Sequence, residues 1–553
     1  MEQTPLTRRT DDANADSVDR RIDRRTVLGA GVTATIAAAG MLVPGGEAAA
    51  APDAADHSRR PQPIPPGELD ALTIPEIQRR FRSRRLTAVA LTHAYLQRIE
   101  SVDPLVGAVI LVNPAAPHQA AESDRRRACG RSLGALDGIP VLLKDNIDTA
   151  FLQTTAGSRA LLGMPPVHDA FIVTQLRRAG AVILGKANLS EWANFRADFA
   201  TGGWSGVGGQ TNNPYVLDRN PSGSSSGPAA GVAAALAQVA VGTETNGSIV
   251  SPSGQCGVVG MKPTLGIASR TGIVPISVEQ DTAGPIARHV VDAAIVLAAL
   301  RGADRRDTPT LHVPRSLPRD LAGALDGASL RDRRIGVWRQ AGIDAGTDRV
   351  VQHAVDVLTS SGATVIEVEV DAGESGNLSF TALKSEFVRD LEAYLRTRPR
   401  QERTLQQLVD FNAADPVELS RFDQNLFLTC LAAPPAGAKS IVAARKQAKA
   451  LARAALDGLL HTHRLDAVMA PSNSPAWRTT YGTGDDFKIG SSGAAAVAGY
   501  PDLSVPAGYV GALPVGVNFI GGRWQDAKIL QIGAAFEAAA RARTAPRFLP
   551  SIG

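Results

Sequence analysis

The stretch "NPSGSSSGPAAGVAAALAQVAVGTETNGSIV", Asn220 to Val250, sets an apolar run between two loops of small residues. Serine and glycine clusters usually read as flexible linkers, but linkers do not usually sit between two apolar elements of one domain. A small-residue loop leading into a helix instead allows close backbone approach and presents N–H groups. The run from Ala229 to Val241 fits an alanine-rich helix followed by a buried strand. The same alternation extends outward in both directions. It recurs in "GIPVLLKD", "FIVTQLRRAGAVILGK", "RIGVWRQ" with the helix before "GATVIEVEV", "LDAVMAPSN", and "LPVGVNFIGG" before a closing helix. The pattern predicts an α/β fold with a large, mostly parallel central sheet and helices on both faces.

A chain of 553 residues exceeds the limit of about 250–300 for one simple core, so two domains or one large domain with insertions is expected. The net charge of +4 is modest for that length, and the basic residues are scattered or confined to the first 60 positions. No nucleic-acid partner is therefore expected. Cys129, Cys256 and Cys430 lie far apart with no C-x-x-C, and His461 and His463 form the nearest histidine pair without H-E-x-x-H. The sequence thus points to no metal, no cofactor and no disulfide framework.

Residues 1–50 read as a twin-arginine export signal. Arg24-Arg25 precede a mild Gly/Ala/Thr/Val stretch to Val43, and small residues around Ala48 to Ala51 offer cleavage positions. The alternative is an anchor over Thr26 to Val43, but that stretch is rich in Gly, Ala and Thr and makes a weak membrane helix. The expected partner is the twin-arginine export machinery, and the expected location is extracellular or periplasmic. Residues 51–66 form a Pro-rich linker, and 67–550 the globular domain. Thr73 with Glu76, and Thr87, supply helix-start signals. From about Asn377 to Arg464 the chain is strand-poor, with Leu and Phe at helical spacing. That segment, 377–464, predicts a helix-rich cover in which Phe422 and Phe427 pack inward.

Ser248 raises the chemical question. A serine hydroxyl is a weak nucleophile without a base in hydrogen-bond reach, and no histidine lies near it in sequence. Lysines are scarce, and Lys144 closes an apolar run. Held there, it would lose solvation and become a neutral amine near neutral pH, or it would pair with Asp145 at the sheet rim. A rival site matches G-x-S-x-G at Gly223, Ser225 and Gly227. It lacks the preceding strand, and no histidine follows Asp466 to complete a triad in the required order.

Lys144, the cluster Ser222 to Ser226 and "TETNGSIVSPSGQCGVVGMKPT" resemble the amidase signature family of Ser-Ser-Lys hydrolases. The resemblance runs over most of Gly67 to Arg543. It includes "LGALDGIPVLLKDNIDT", "AVILGKANLSEWANFR", "SRTGIVPISVEQDTAGPIAR", "AAAVAGYPDLSVPAG" and "LPVGVNFIG". It implies the amidase signature fold with a helical insertion. It also implies Lys144 as base, Ser224 as proton relay across a cis peptide and Ser248 as nucleophile, with backbone oxyanion donors at Thr245, Asn246, Gly247 and Ser248. The family pattern differs here at Ser222, Glu244, Asn246 and Val250. "GTETNGSIVSP", "SEWANFR" and "EQDTAGPIAR" most resemble the peptide amidase subgroup, which implies hydrolysis of C-terminal peptide amides or amino-acid amides to carboxylate and ammonia. The alternatives are an aryl-acylamide or fatty-acid amide hydrolase, the A-type component of a glutamyl-tRNA amidotransferase, and a non-catalytic exported binding protein.

Overall fold

Among the described residues, thirteen strands alternate with helices. They are β1 (Val109–Val112), β2 (Pro140–Lys144), β3 (Val182–Ala187), the short pair β4 (Trp204–Ser205) and β5 (Gly209–Gln210), β6 (Val239–Glu244), β7 (Val259–Lys262), β8 (Thr282–Ala287), β9 (Arg334–Val337), β10 (Thr364–Glu367), β11 (Ala467–Pro471), β12 (Asp502–Val510) and β13 (Leu513–Ile520). This is a computed structural model, and it describes residues 64–163, 165–398 and 404–552. The expected export signal lies outside the described residues, as do all but the end of the linker and residues 399–403 of the helix-rich segment.

Eleven strands make one mixed sheet in the order β1-β3-β2-β6-β8-β7-β12-β13-β11-β9-β10. The α/β class is as expected, but the strand directions are not. Six of the ten neighbouring pairs are antiparallel and four are parallel. The parallel pairs lie at β3-β2-β6 and β11-β9-β10, where helices cross between strands. The antiparallel centre is built from β8, β7 and β12, whose sequences "TAGPIA", "VGMK" and "DLSVPAGYV" carry glycine and proline. Those residues mask the strand signal, so the sequence showed the crossover units and missed the strands between them.

Helices pack against the sheet through alanine and glycine. The helix Ser226–Ala233 lies so close that a Cβ on Gly227 would sit 2.4 Å from the Asn188 carbonyl oxygen and 2.5 Å from that of Ala108. Only glycine allows that approach. Both β2 and β6 are buried along their whole length and run parallel, with Leu143 beside Val241. Their carboxyl ends, Lys144 and Glu244, therefore emerge at the same sheet edge, where ligand sites of α/β sheets form.

Among the described residues, four helices, Gly373–Leu395, Leu405–Ala414, Asn425–Leu431 and Lys439–Thr462, occupy the strand-poor segment. Several of their apolar side chains join a second core with Trp192, Phe195 and Ile276, in which Phe387 and Phe427 stack 5.5 Å apart. Phe422 and Phe427 are both buried.

Candidate active site

Lys144 is fully buried at the end of β2. Its Nζ lies 2.8 Å from Ser224 Oγ, 3.0 Å from Thr243 Oγ1 and 3.2 Å from the Thr243 carbonyl oxygen. Of the two sequence readings, the ion pair with Asp145 is not what forms. Asp145 turns instead to Lys186, 3.1 Å away. Burial draws the Lys144 amine down to about 7, against the upward pull of the Glu244 and Asp281 charges. A lysine in that state presents a neutral, proton-accepting amine at neutral pH. Asn146 Nδ2 donates to Thr243 Oγ1 at 2.9 Å and fixes the hydroxyl beside it.

The Gly223-Ser224 peptide is cis. Ser224 and its neighbours are tied to the second loop: Ser225 N–H donates to the Ser248 carbonyl at 3.1 Å, and Ser225 Oγ donates to the Thr243 carbonyl at 3.1 Å. Ser222 occupies the left-handed region (φ 62°), where glycine is favoured. Its conformation is held by Asn220 Oδ1, which accepts from its N–H at 2.7 Å, and by a 2.8 Å hydroxyl contact with Ser251.

The Thr245–Ser248 turn leaves β6 and passes through Gly247 at φ 80°. Glu244 closes the turn by accepting from the N–H groups of Ile249 (2.8 Å) and Val250 (3.1 Å). Among the described residues, the N–H groups of Asn246, Gly247 and Ser248 find no acceptor within the protein. The Asn246 side chain accepts from Ser492 Oγ at 2.8 Å, which accounts for a residue larger than glycine there.

Ser224, Thr245, Asn246, Gly247 and Ser248 all line one cleft of about 450 Å3. Its walls are Phe195, Phe380 and Leu383 on one side and Trp477 and Phe487 on another, with each aromatic pair in edge contact. Asp485 lies in the same wall. Burial pushes its carboxyl up to about 6, opposed by hydrogen bonds from Gly202 N–H and Trp477. Sequence reasoning missed Asp485 and Ser492, which sit in no motif that declares them, and Thr243, which lies in the quoted "GTETNGSIVSP". It also passed over Gln280 and Asp281, although both lie in the quoted "SVEQDTAGPIAR". Among the described residues, no group of three or more His, Cys, Asp and Glu side chains is placed to hold a metal ion.

A buried amine against a serine, beside a turn of free N–H groups, is the equipment of an acyl-transfer enzyme, and residues 90–530 match the family model described as Amidase. The chain belongs to that family and is a hydrolase of amide C–N bonds. It is 40% identical over 495 residues to a probable amidase of Arabidopsis thaliana, covering 87% of this chain and 92% of that one. It is 34% identical over 484 residues to the A-type component of the glutamyl-tRNA(Gln) amidotransferase of Symbiobacterium thermophilum, covering 84% and 96%. The crystal structure of a peptide amidase from Stenotrophomonas maltophilia superposes with a TM-score of 0.82 at 44% identity, over 86% of this chain and 99% of that one.

Proposed function

We propose that the enzyme hydrolyses the C-terminal carboxamide of short peptides or amino-acid amides, releasing ammonia, with Ser248 as nucleophile, Ser224 as relay and Lys144 as base. The observation that carries the reading is the 2.8 Å contact between a buried Lys144 amine and Ser224 Oγ. Neutral Lys144 takes the Ser224 proton as Ser224 takes that of Ser248. Ser248 Oγ then attacks the amide carbon, and the carbonyl oxygen gains charge. N–H groups of Thr245, Asn246, Gly247 and Ser248 stabilise that oxyanion, each such donor being worth about 2.7–4 kcal/mol in comparable sites. The relay returns the proton to the leaving nitrogen, the C–N bond breaks, and ammonia departs. Water then attacks the Ser248 ester along the same proton path and frees the carboxylate.

The similarity to the Stenotrophomonas peptide amidase supports the substrate class, and the aromatic walls of the cleft suit apolar side chains next to the amide. The purified protein is expected to release ammonia from dipeptide amides with apolar C-terminal residues faster than from aliphatic amides, aryl-acylamides or esters. Faster turnover of aryl-acylamides or fatty-acid amides, with no peptide-amide activity, would sink the peptide assignment and leave the amidase intact. The 34% identity to the amidotransferase component supports a second reading, in which glutamine is the ammonia donor. Ammonia release from free glutamine that rises on adding charged tRNA and partner proteins would favour it.

We further propose export through the twin-arginine route. Secreted material is expected to begin near Ala48 to Ala51 on N-terminal sequencing, and Arg24→Lys with Arg25→Lys should stop secretion. Secreted protein that begins at Met1 contradicts cleavage.

A further inference from the structure

The segment "SVEQDTAGPIAR" takes no direct part in the proton path, yet it touches the turn that carries Ser248. Gln280 is buried, and its Nε2 donates to the Thr245 carbonyl at 2.8 Å. Its Oε1 accepts from Arg445 NH1 at 2.6 Å and from Ser379 Oγ at 2.8 Å. The orientation of this amide is forced by its partners. A guanidinium only donates and a carbonyl only accepts, so the oxygen must face Arg445 and the nitrogen must face Thr245. Arg445 is itself fixed by Glu386, through Nε to Oε1 at 2.8 Å and NH2 to Oε2 at 2.5 Å. Thr245 is held at a second point, where its hydroxyl donates to Asp281.

In a trans peptide the C=O and the following N–H point in opposite directions. A clamp on the Thr245 carbonyl therefore fixes the direction of the Asn246 N–H, which has no acceptor within the protein and belongs to the cleft lining. We propose that Gln280 is a positioning residue for the oxyanion site: locked by Arg445 and Ser379, it aims the Asn246 N–H at the oxygen of the tetrahedral intermediate. The helix-rich segment thereby takes part in the chemistry, since Ser379, Glu386 and Arg445 all stand on its helices. This inference rests on the reading of Ser248 as nucleophile.

Gln280→Glu separates aim from architecture. The carboxylate keeps an acceptor for Arg445 and Ser379, so the fold retains its lock, but an oxygen now faces the Thr245 carbonyl where a donor stood. Removing an oxyanion donor costs about 10²–10³ in kcat, and misdirecting one should cost about 10–100-fold. Expected for Gln280→Glu is that fall in kcat with KM within about threefold, in a protein whose near-ultraviolet circular dichroism shows it folded. Inhibition by a peptidyl aldehyde, whose adduct with a serine bears the oxyanion, should weaken by the same factor as kcat. Gln280→Leu, which lacks the donor without adding charge, should show the same matched loss. Wild-type kcat and aldehyde affinity in a folded Gln280→Glu or Gln280→Leu protein overturn the proposal, as does a loss confined to KM. If Ser248→Ala stays active, the underlying mechanism fails. If Ser248→Ala is inactive while both Gln280 variants match wild type, only the positioning role fails.

Discussion

Ser248→Ala and Lys144→Ala are each expected to lower kcat for a peptide amide by about four to six orders of magnitude, and the double variant should be no worse than either. Groups that act as one unit fail together, so their effects do not add. The physical reason lies in the contacts: Lys144 reaches Ser224 and the Thr243 hydroxyl, and among the described residues no other titratable side chain hydrogen-bonds Ser224. The measurement is ammonia release by the purified variants, with near-ultraviolet circular dichroism to check folding. Turnover within tenfold of wild type in either single variant ends the assignment. The pH profile gives the sign. With the Lys144 amine drawn down to about 7, the neutral base accumulates as pH rises, so kcat/KM should climb through about 7 and level off above it. Asp281, pushed up to about 7 by burial, titrates over the same range. Asp281→Asn distinguishes them. Its charge is one of two that pull the Lys144 pKa upward, so the variant should keep the rising limb and move it to lower pH. Loss of the limb would assign it to Asp281.

What the sequence made legible follows from how locally each feature is encoded. Crossover units such as Phe171–Arg178 with β3, or Ser226–Ala233 with β6, read clearly because an amphipathic or alanine-rich run hands over to a short apolar one. The strand β8 did not, because Gly284 and Pro285 sit at its centre. The partner across the ladder explains the glycine: a Cβ on Gly284 would lie 2.0 Å from the Met261 carbonyl oxygen. Lys144 stood out because a charge closes an apolar strand, yet its partner could not be chosen without knowing that Lys186, on β3, takes Asp145. Ser222 in a left-handed turn and Asn246 beside Ser492 are departures from the family pattern whose compensation comes from Ser251 and Ser492. Such pairs are set by the fold and leave no spacing in the sequence.

The segment "SEWANFR" stands out in the sequence only as a resemblance, and the structure gives it a physical task from which a large stability effect follows. Trp192, Ala193 and Asn194 take φ of 49°, 56° and 69° in succession, a turn that places Ala193, Asn194 and Phe195 on the cleft wall. Arg196 fixes that turn. It is fully buried, its NH1 lies 2.6 Å from Glu191 Oε1 and 2.9 Å from Glu418 Oε2, and its guanidinium sits 4.3 Å from the Phe422 ring centroid. Glu418 in turn accepts from Arg159 N–H at 2.6 Å. One cation therefore bridges two buried carboxyl groups, one beside the cleft turn and one from the helix-rich segment. Arg196→Met should lower the unfolding free energy by about 3–5 kcal/mol, the usual cost of leaving buried charge unpaired, read from denaturant titration at pH 7. Adding Glu191→Gln and Glu418→Gln should recover most of that loss, because no charge is then stranded. The pH dependence of the single variant has a definite sign. Burial already pushes the Glu191 carboxyl well above its ordinary range against the Arg196 charge, and removing the cation raises it further. A carboxyl whose folded pKa is raised favours the folded state at low pH and loses that contribution as pH rises. The deficit of Arg196→Met should thus be smallest at low pH, where Glu191 is protonated with or without the cation, and grow as pH rises through the wild-type Glu191 value. A loss under about 1 kcal/mol would show that Arg196 does not hold the turn, and a triple variant no more stable than the single would show that packing of the guanidinium, and not its charge, does.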